Sequence, residues 1–461
     1  MSPPPRSLSR SGGIFALCLS LAFVAMAWVA VSVYAQDLPG AGDDDLSLVN
    51  ARLAKNRNAL TPLTAATQAL VYPVDYEVAT DRIDLTIIGA EWDDAWTTKL
   101  IDDNAAALTR FDLAQHTDGF QVRVGSVYGE ARARSDWLML VKLQALSARA
   151  MAMRGQQQEA IDAALLLANF GSKVRRLDGG RMIHYLSGTS MMRIALSALQ
   201  RILKDADISP GQAVALLESL EGLRLARADW AEVARGDYQW SKGVLDESVA
   251  ARDGEAAKVS RDPFARGVLE SMLSITPIEY SLQRNRTLDR LAGHYRKSIE
   301  EVPSVCLRMP RNGASPKRPK APAATSVERN ALGDYWADLS RVSMDVYRQT
   351  SCVSETLLSA VEVMVALRAY ELNRGSMPDD LKRLVPEYFA ALPLDYFDGE
   401  PIRYLANKHL LYSVGTDFAD AMGERRAGEP CNAELTYPIP FATGLQSVAN
   451  PLRLTCGGPK S

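Results

Sequence analysis

Hydrophobic and polar positions recur with helical spacing over most of the chain between Leu48 and Ile299. Apolar residues stand three and four positions apart from Trp137 to Met151 and again from Ala160 to Leu167, and Gly155 falls where the first of these helices should end. Two helices joined by a glycine turn predict a helical hairpin, in which each helix covers the apolar stripe of the other. We therefore expect a mainly α fold with an all-α helical-hairpin domain over residues 36–300.

Alternation typical of strands is scarce in this region, and the segments Val71 to Val78 and Phe120 to Val124 fit it best. The hairpin around Gly155 resembles a tetratricopeptide repeat, because Ala148, Gly155, Ala160 and Leu165 stand at the small-residue and turn positions of that motif. The resemblance covers one hairpin, and an array of such repeats needs further copies at a fixed period. Ordinary packing of two helices is the alternative.

The last part of the chain, residues 331–461, has a different pattern. Apolar positions from Leu357 to Leu372 predict a long helix, and Gly375 lies where a left-handed C-terminal cap is expected. Alternation in Ile402 to Tyr404 and in Leu410 to Val414 predicts two antiparallel strands. We expect a small α+β module in which the helix packs on a short antiparallel sheet.

The order of these elements resembles the globular module of the major (G-type) pseudopilin of type II secretion. The resemblance is carried by the run Leu392 to Tyr404 and by the element Ser413-Val414-Gly415-Thr416-Asp417. It covers roughly the last quarter of the chain. It implies a module that assembles with partners outside the membrane, and a link to secretion or pilus-type assemblies.

In that family the loop after the Ser-x-Gly-x-Asp element binds calcium. The resemblance therefore implies Ser413, Asp417 and Asp420 as candidate calcium ligands, through the hard oxygen atoms that this ion prefers. The family's glycine-rich continuation is replaced here by Phe418 to Gly423, and glycines are what let backbone carbonyls turn toward an ion. A solvated acidic loop without a metal is the alternative, and no other cofactor is expected.

The amino terminus predicts export. Arg6 and Arg10 precede an apolar run from Ile14 to Val33. Ala35 then supplies a small residue of the kind that a signal peptidase prefers, and the acidic run Asp43 to Asp45 follows. Positive charge before the run and negative charge after it predict that the amino terminus stays inside and the rest lies outside. Residues 1–35 are either a signal peptide cleaved near Ala35 or an inner-membrane anchor through residues 14–35. Both place the body of the chain in the periplasm-facing cell envelope.

A linker separates the two main regions. Residues 301–330 are rich in Pro, Lys and Arg, and prolines at this density do not continue a helix. We expect this segment to be an exposed connection between the helical domain and the module at residues 331–461. If this segment has a function of its own, its positive charges would attract anionic lipid or an acidic partner.

Cysteine usage fits an oxidising compartment. The chain has 5 cysteines, of which Cys18 lies in the apolar run. The other four suggest two disulfides, and the pairs Cys306–Cys352 and Cys431–Cys456 close the shorter loops. Four buried free thiols are the alternative.

Composition and motifs narrow the function. A net charge of −3 excludes a strongly basic nucleic-acid binder. The sequence has no phosphate-binding Gly-Lys-Ser/Thr loop, no Gly-x-Ser-x-Gly elbow and no His-Glu-x-x-His zinc helix. Its 4 histidines lack metal-ligand spacing, and His184 is the one expected to be buried beside other polar groups.

These observations lead to two hypotheses. We expect a non-catalytic interaction or scaffold protein of the bacterial cell envelope, with an envelope protein as its partner. The alternative is a periplasmic hydrolase with a site in the helical domain. A polar cleft that gathers His184 with a carboxylate or a serine favours the hydrolase, because general acid–base chemistry needs such convergence.

Overall fold

The computed structural model describes residues 24–26, 36–48, 53–89, 92–122, 130–252, 282–301, 319–322, 328–418, 420–422 and 435–441. Within them the fold is mainly helical with a small three-stranded antiparallel sheet, which confirms the predicted mixture of elements. The helices are α1 Leu60–Gln68, α2 Tyr76–Ile87, α3 Asp94–Asp103, α4 Ala105–His116, α5 Glu130–Met153, α6 Gln157–Arg175, α7 Met182–Leu203, α8 Pro210–Glu221, α9 Arg227–Arg252, α10 Arg284–Glu300 and α11 Ala331–Arg374. The strands are β1 Arg403–Leu405, β2 Leu410–Ser413 and β3 Leu435–Pro438.

Local sequence explains where several helices begin and end. Asp93 caps α3 by accepting a hydrogen bond from the backbone N–H of Trp96, at 3.0 Å. Ser209 and Gln212 form a capping box at the start of α8. Gly155 and Gly375 have φ of 83° and 78°, so the predicted glycine turns after α5 and α11 are confirmed.

Two predictions about elements are wrong. Residues 71–75 form a connection with a turn, and α2 begins at Tyr76, so Val71 to Val78 is not a strand. The alternation there belongs to exposed apolar side chains. The long helix predicted from Leu357 to Leu372 also has wrong bounds, because it is part of one element of 44 residues from Ala331 to Arg374. No proline interrupts it, and its one glycine, Gly333, lies in the first turn.

The chain divides into two compact units, each built from separate segments. The first contains residues 1–45, 244–294 and 318–341, and the second contains residues 46–243, 295–317 and 342–461. This division differs from the limits 1–35, 36–300, 301–330 and 331–461 expected from composition, and those limits stay a prediction.

The first unit is held by long-range polar contacts. The carboxylate of Asp37 accepts hydrogen bonds from the backbone N–H groups of Asn285, at 2.6 Å, and Arg286, at 2.9 Å, in the first turn of α10. The buried Asn330 accepts from the N–H of Gln283 at 2.7 Å and from the hydroxyl of Thr287 at 3.0 Å. An acceptor at a helix start satisfies N–H groups that have no partner inside the helix.

The second unit has one continuous apolar core that joins residues of α1–α8 to residues 352–441. Within it, α6 and α7 approach each other closely. A Cβ atom placed on Gly188 would lie 2.4 Å from the carbonyl oxygen of Gly171, so only glycine permits this approach. The two glycines therefore set the distance between the central helices.

The sheet of this unit follows the predicted hairpin. β1 pairs antiparallel with β2, with Tyr404 opposite Leu411, and β2 pairs with β3, with Leu411 opposite Tyr437. The turn between β1 and β2 is the short 3-10 segment Ala406–Lys408, and His409 completes it with φ of 48°. The predicted pairing of the first two strands is confirmed.

Among the described residues, α11 is the helix long and apolar enough to span a membrane, and 89% of its most apolar stretch is buried inside the fold. That burial is typical of a core helix. The predicted signal or anchor lies outside the described residues except for residues 24–26.

Cys352 is disulfide-bonded, and Cys306, Cys431 and Cys456 lie outside the described residues, so the predicted pairings stay predictions.

Candidate functional site

The polar centre of the C-terminal region is Asp395, a fully buried carboxylate. It accepts hydrogen bonds from the backbone N–H of Phe397 and of Val414, each at 3.0 Å, and from the hydroxyl of Ser413 at 2.8 Å. Burial raises the pKa of Asp395, and these hydrogen bonds oppose the rise. Asp395 thereby holds the segment that precedes β1 against the end of β2.

Arg403, on β1, gathers three carboxylates. Its guanidinium donates to Asp395 at 3.0 Å, to Asp398 at 2.6 Å and to Asp420 at 3.2 Å. Asp420 is therefore paired with an arginine, and the hydroxyl of Ser413 donates to Asp395. These two residues fit a calcium ion poorly in this arrangement, because a cation already occupies the space between the carboxylates.

The side chain of Asp417 lies outside the described side chains. Among the described residues no group of three or more His, Cys, Asp or Glu side chains is arranged to hold a metal ion. Calcium binding by Ser413, Asp417 and Asp420 stays a prediction, to be tested by calcium titration.

A second polar cluster connects α11 to two arginines, one on α6 and one in the segment that follows α8. The fully buried Arg175 donates to Glu355 at 2.6 Å, and Arg224 pairs with Glu362 and, at 3.6 Å, with Glu355. Burial raises the pKa of Glu362 to about 7, although Arg224 lowers it. Two arginines facing two glutamates keep this part of the core electrically balanced.

His184 lies in a third cluster, at the start of α7. It is 1% exposed, its Nδ1 accepts a hydrogen bond from the backbone N–H of Arg181 at 3.1 Å, and its ring stacks on Trp137. Because Nδ1 is an acceptor, the neutral ring carries its proton on Nε2. The predicted burial of His184 beside polar groups is confirmed.

The carboxylate of this cluster is Asp237, on α9. It accepts from the hydroxyl of Tyr295 at 2.6 Å and from the backbone N–H of Met182 at 3.2 Å. Burial raises the pKa of Asp237, while the bond from Tyr295 and the charges of Arg181 and His184 lower it. Ser241 lies 3.3 Å from the hydroxyl of Tyr295. Histidine, carboxylate and serine thus converge in one region, with Tyr295 and Ser241 almost fully buried.

A shallow groove of about 490 Å³ runs beside α6. It is lined by Asp118, Phe120, Leu166, Asn169, Ser172, Lys173, Arg176 and Leu177. The ammonium of Lys173 donates to the carbonyl oxygens of Gln115 and Thr117, and Arg176 pairs with Asp229 at 2.9 Å. Both cationic side chains are therefore bonded to other groups of the protein, and the groove indicates no particular ligand.

The clearest exposed feature is an apolar surface at the connection between α1 and α2, which we name the 71–78 surface. Its members are Val71, Tyr72, Val74 and Val78, which are 50%, 37%, 102% and 72% exposed. Val74 directly precedes the N-cap of α2, where an apolar residue usually packs against the first turn. Here it is fully exposed, so its apolar surface is left to solvent.

Buried Asn104 holds this surface in place. Its amide oxygen accepts from the N–H of Val71 at 2.9 Å, and its amide nitrogen donates to the carbonyl oxygens of Val71 and Leu100, each at 3.1 Å. The hydroxyl of Tyr72 donates to Asp136. The charged residues between positions 71 and 78 are Asp75 and Glu77, both acidic and exposed. The result is an exposed apolar surface that is anchored at Val71 and Tyr72 and has acidic residues beside it.

Sequence reasoning identified His184 but missed its partners. Tyr295 and Asp237 are 58 positions apart, and no short motif links them. It missed Arg403 and Asp395 as a pair because neither residue type is unusual near a turn. The 71–78 surface was visible in the sequence, but its alternation was assigned to a strand.

Comparison with known proteins finds no matching family model, no matching curated protein and no matching solved structure. The resemblances to the pseudopilin module and to a tetratricopeptide repeat therefore stay predictions. The chain is described by its own architecture: a mainly helical fold with a small antiparallel sheet.

Proposed function

We propose that this protein is an exported or membrane-anchored cell-envelope protein that acts as a non-catalytic interaction scaffold. The observation that carries the proposal is the 71–78 surface. Single exposed apolar residues are common on folded proteins, whereas several within one short segment, anchored by hydrogen bonds at Val71 and Tyr72, are typical of interaction sites. Pre-organisation matters because a partner then loses less free energy in ordering the surface it binds.

The charges beside the surface indicate the partner's chemistry. Asp75 and Glu77 favour a protein whose apolar recess is flanked by Lys or Arg side chains. An anionic lipid surface is disfavoured because it repels the same carboxylates. A symmetric contact between two copies is disfavoured as well, because a two-fold axis would place these acids against each other.

The cellular location rests on two further observations. The sequence places positive charge before its apolar run and acidic residues after it, which favours export of the body. The disulfide at Cys352 fits an oxidising compartment. Thiol alkylation in freshly lysed cells without reductant tests this part, since ready labelling of the cysteines together with cytosolic fractionation would overturn it.

Site-specific photocrosslinking in intact cells tests the interaction. A benzophenone amino acid replaces Val74 in the full-length chain, and a control replaces Leu113, which is 59% exposed on α4. We expect a discrete protein adduct from position 74 that is absent from position 113. The double change Asp75→Lys and Glu77→Lys should weaken the adduct several-fold.

Adducts of equal yield at both positions, or adducts to lipid alone, would refute the scaffold role of this surface. An adduct to a second copy of the chain would refute the stated partner chemistry. An adduct that persists unchanged after charge reversal would remove the requirement for a basic rim.

A periplasmic hydrolase is the second candidate, because His184, Asp237 and Ser241 converge near Tyr295. Against it, both oxygens of Asp237 already accept internal hydrogen bonds, and Ser241 is 2% exposed. Ester and peptide hydrolysis by the full-length protein tests it. Turnover that is lost in both Asp237→Asn and His184→Gln, with folding retained, would replace the scaffold proposal with this one.

A further inference from the structure

A buried arginine on α5 has no counter-charge in contact with it among the described residues. Arg149 is 5% exposed, and its Nη1 atom has no hydrogen-bond acceptor among the described residues. Among the residues that the structure describes, neither Arg149 nor Arg201, in the last turn of α7, forms an ion pair with a carboxylate. Burying a guanidinium that lacks a hydrogen-bonded counter-charge lowers the stability of the folded state, and a bound anion would offset that loss.

The surroundings of Arg149 add positive charge. Burial and, to a smaller extent, the neighbouring Arg201 lower the pKa of Arg149 to about 10, while the exposed Asp205 acts in the opposite direction. Two cations therefore lie close together, with one exposed carboxylate to offset them. Elsewhere in this unit, Arg175 and Arg224 each have a glutamate in contact.

The backbone makes room for this pair. Gly89 follows α2 with φ of 84°, and a Cβ atom there would lie 2.2 Å from Nε of Arg201. A side chain at position 89 would therefore displace the guanidinium. The guanidinium of Arg149 lies over the ring of Trp92, 5.0 Å from its centroid. An aromatic face orients a guanidinium without neutralising it.

We propose that Arg149, Arg201 and the face of Trp92 form a binding site for a small oxyanion, a carboxylate or a phosphate. The planar fork of a guanidinium matches the paired oxygens of both groups. The site lies where the residues after α2, the last turns of α5 and the last turn of α7 meet, within the second unit. It is separate from the 71–78 surface and does not depend on the scaffold role.

Thermal unfolding of the full-length protein tests the site, with inorganic phosphate and acetate as separate probes at constant ionic strength. A ligand that binds only the folded state raises the melting temperature in a saturable way, and a shift on the order of 2–5 °C is expected at saturation. The shift should disappear in Arg149→Met, and binding measured by calorimetry should weaken about tenfold or more in Arg201→Gln.

The matched control is Arg82→Gln. Arg82 also stacks on a tryptophan, 4.2 Å from the centroid of Trp96, but its charge is met by Asp93 at 2.8 Å. This variant should keep the full shift. If Arg149→Met does not fold, Arg201→Gln with calorimetry decides the question.

Two results would overturn the proposal. The first is the absence of a saturable shift with either probe, and the second is a shift that Arg149→Met retains.

Discussion

Replacing Glu362 by glutamine should make the protein more stable at pH 8, although it removes one side of an ion pair. The structure gives the reason. Burial raises the pKa of Glu362 from 4.5 to about 7, because the cost of burying the carboxylate exceeds the attraction of Arg224. One pKa unit corresponds to about 1.4 kcal/mol, so ionising this carboxyl group in the folded state costs about 3 kcal/mol relative to the unfolded chain.

The sign follows from proton binding. Between pH 4.5 and about 7 the folded protein holds the Glu362 proton more tightly than the unfolded chain does. The free energy of unfolding therefore falls as the pH rises through this window, and the contribution is fully lost above it. Glutamine resembles the protonated acid at every pH. Glu362→Gln should match the wild type near pH 5 and exceed it by up to about 3 kcal/mol at pH 8.

Urea unfolding of the full-length protein at pH 5 and pH 8, followed by circular dichroism, measures both values. Glu371→Gln is the control, since Glu371 lies on the same helix and pairs with Arg368, but its side chain is 27% exposed. This control should keep the pH dependence of the wild type. If Glu362→Gln is less stable than the wild type by the same amount at both pH values, the ion pair with Arg224 outweighs burial and the reasoning is wrong.

Three further predictions concern packing and polar contacts. Gly188→Ala should lower the free energy of unfolding by about 1–3 kcal/mol, because the new Cβ atom would meet the backbone of α6. Gly211→Ala, which has open space around it, should not lower that free energy, and urea unfolding of both variants measures the difference. Tyr295→Phe should cost about 1–3 kcal/mol by leaving an oxygen of Asp237 without its donor, and an equal stability in the two proteins would contradict this. Arg403→Gln should speed amide hydrogen exchange in residues 395–418, since three carboxylates lose their common cation; unchanged exchange would show that the backbone bonds to the central carboxylate suffice.

Local signals in the sequence predicted the local structure well. Gly155 and Gly375 marked helix ends because a left-handed residue at that position strongly favours glycine. The pattern around Leu411 predicted a strand because β-branched, aromatic and apolar residues stand there between turn signals, and β2 does pair with β1. Such features depend on residues within a few positions of each other.

Features that depend on distant residues were not predictable in this way. Arg175 meets Glu355 across 180 positions, and neither neighbourhood differs from an ordinary helix surface in sequence. The connection at Val74 was wrongly predicted to be a strand, because exposed and half-buried apolar residues give the same alternation in a sequence. Burial, which separates them, depends on tertiary packing.

The contact of Asp37 with the start of α10 has a consequence for how the chain matures. If the leader is cleaved after Ala35, a single residue separates the new amino terminus from this anchoring carboxylate, and its partner Asn285 lies 248 positions further on. A chain that crosses a membrane from its amino terminus delivers the two ends of this contact far apart in time. On such an export route the first unit would close only after more than half of the polypeptide has emerged, and an uncleaved leader would hold that unit close to the lipid surface.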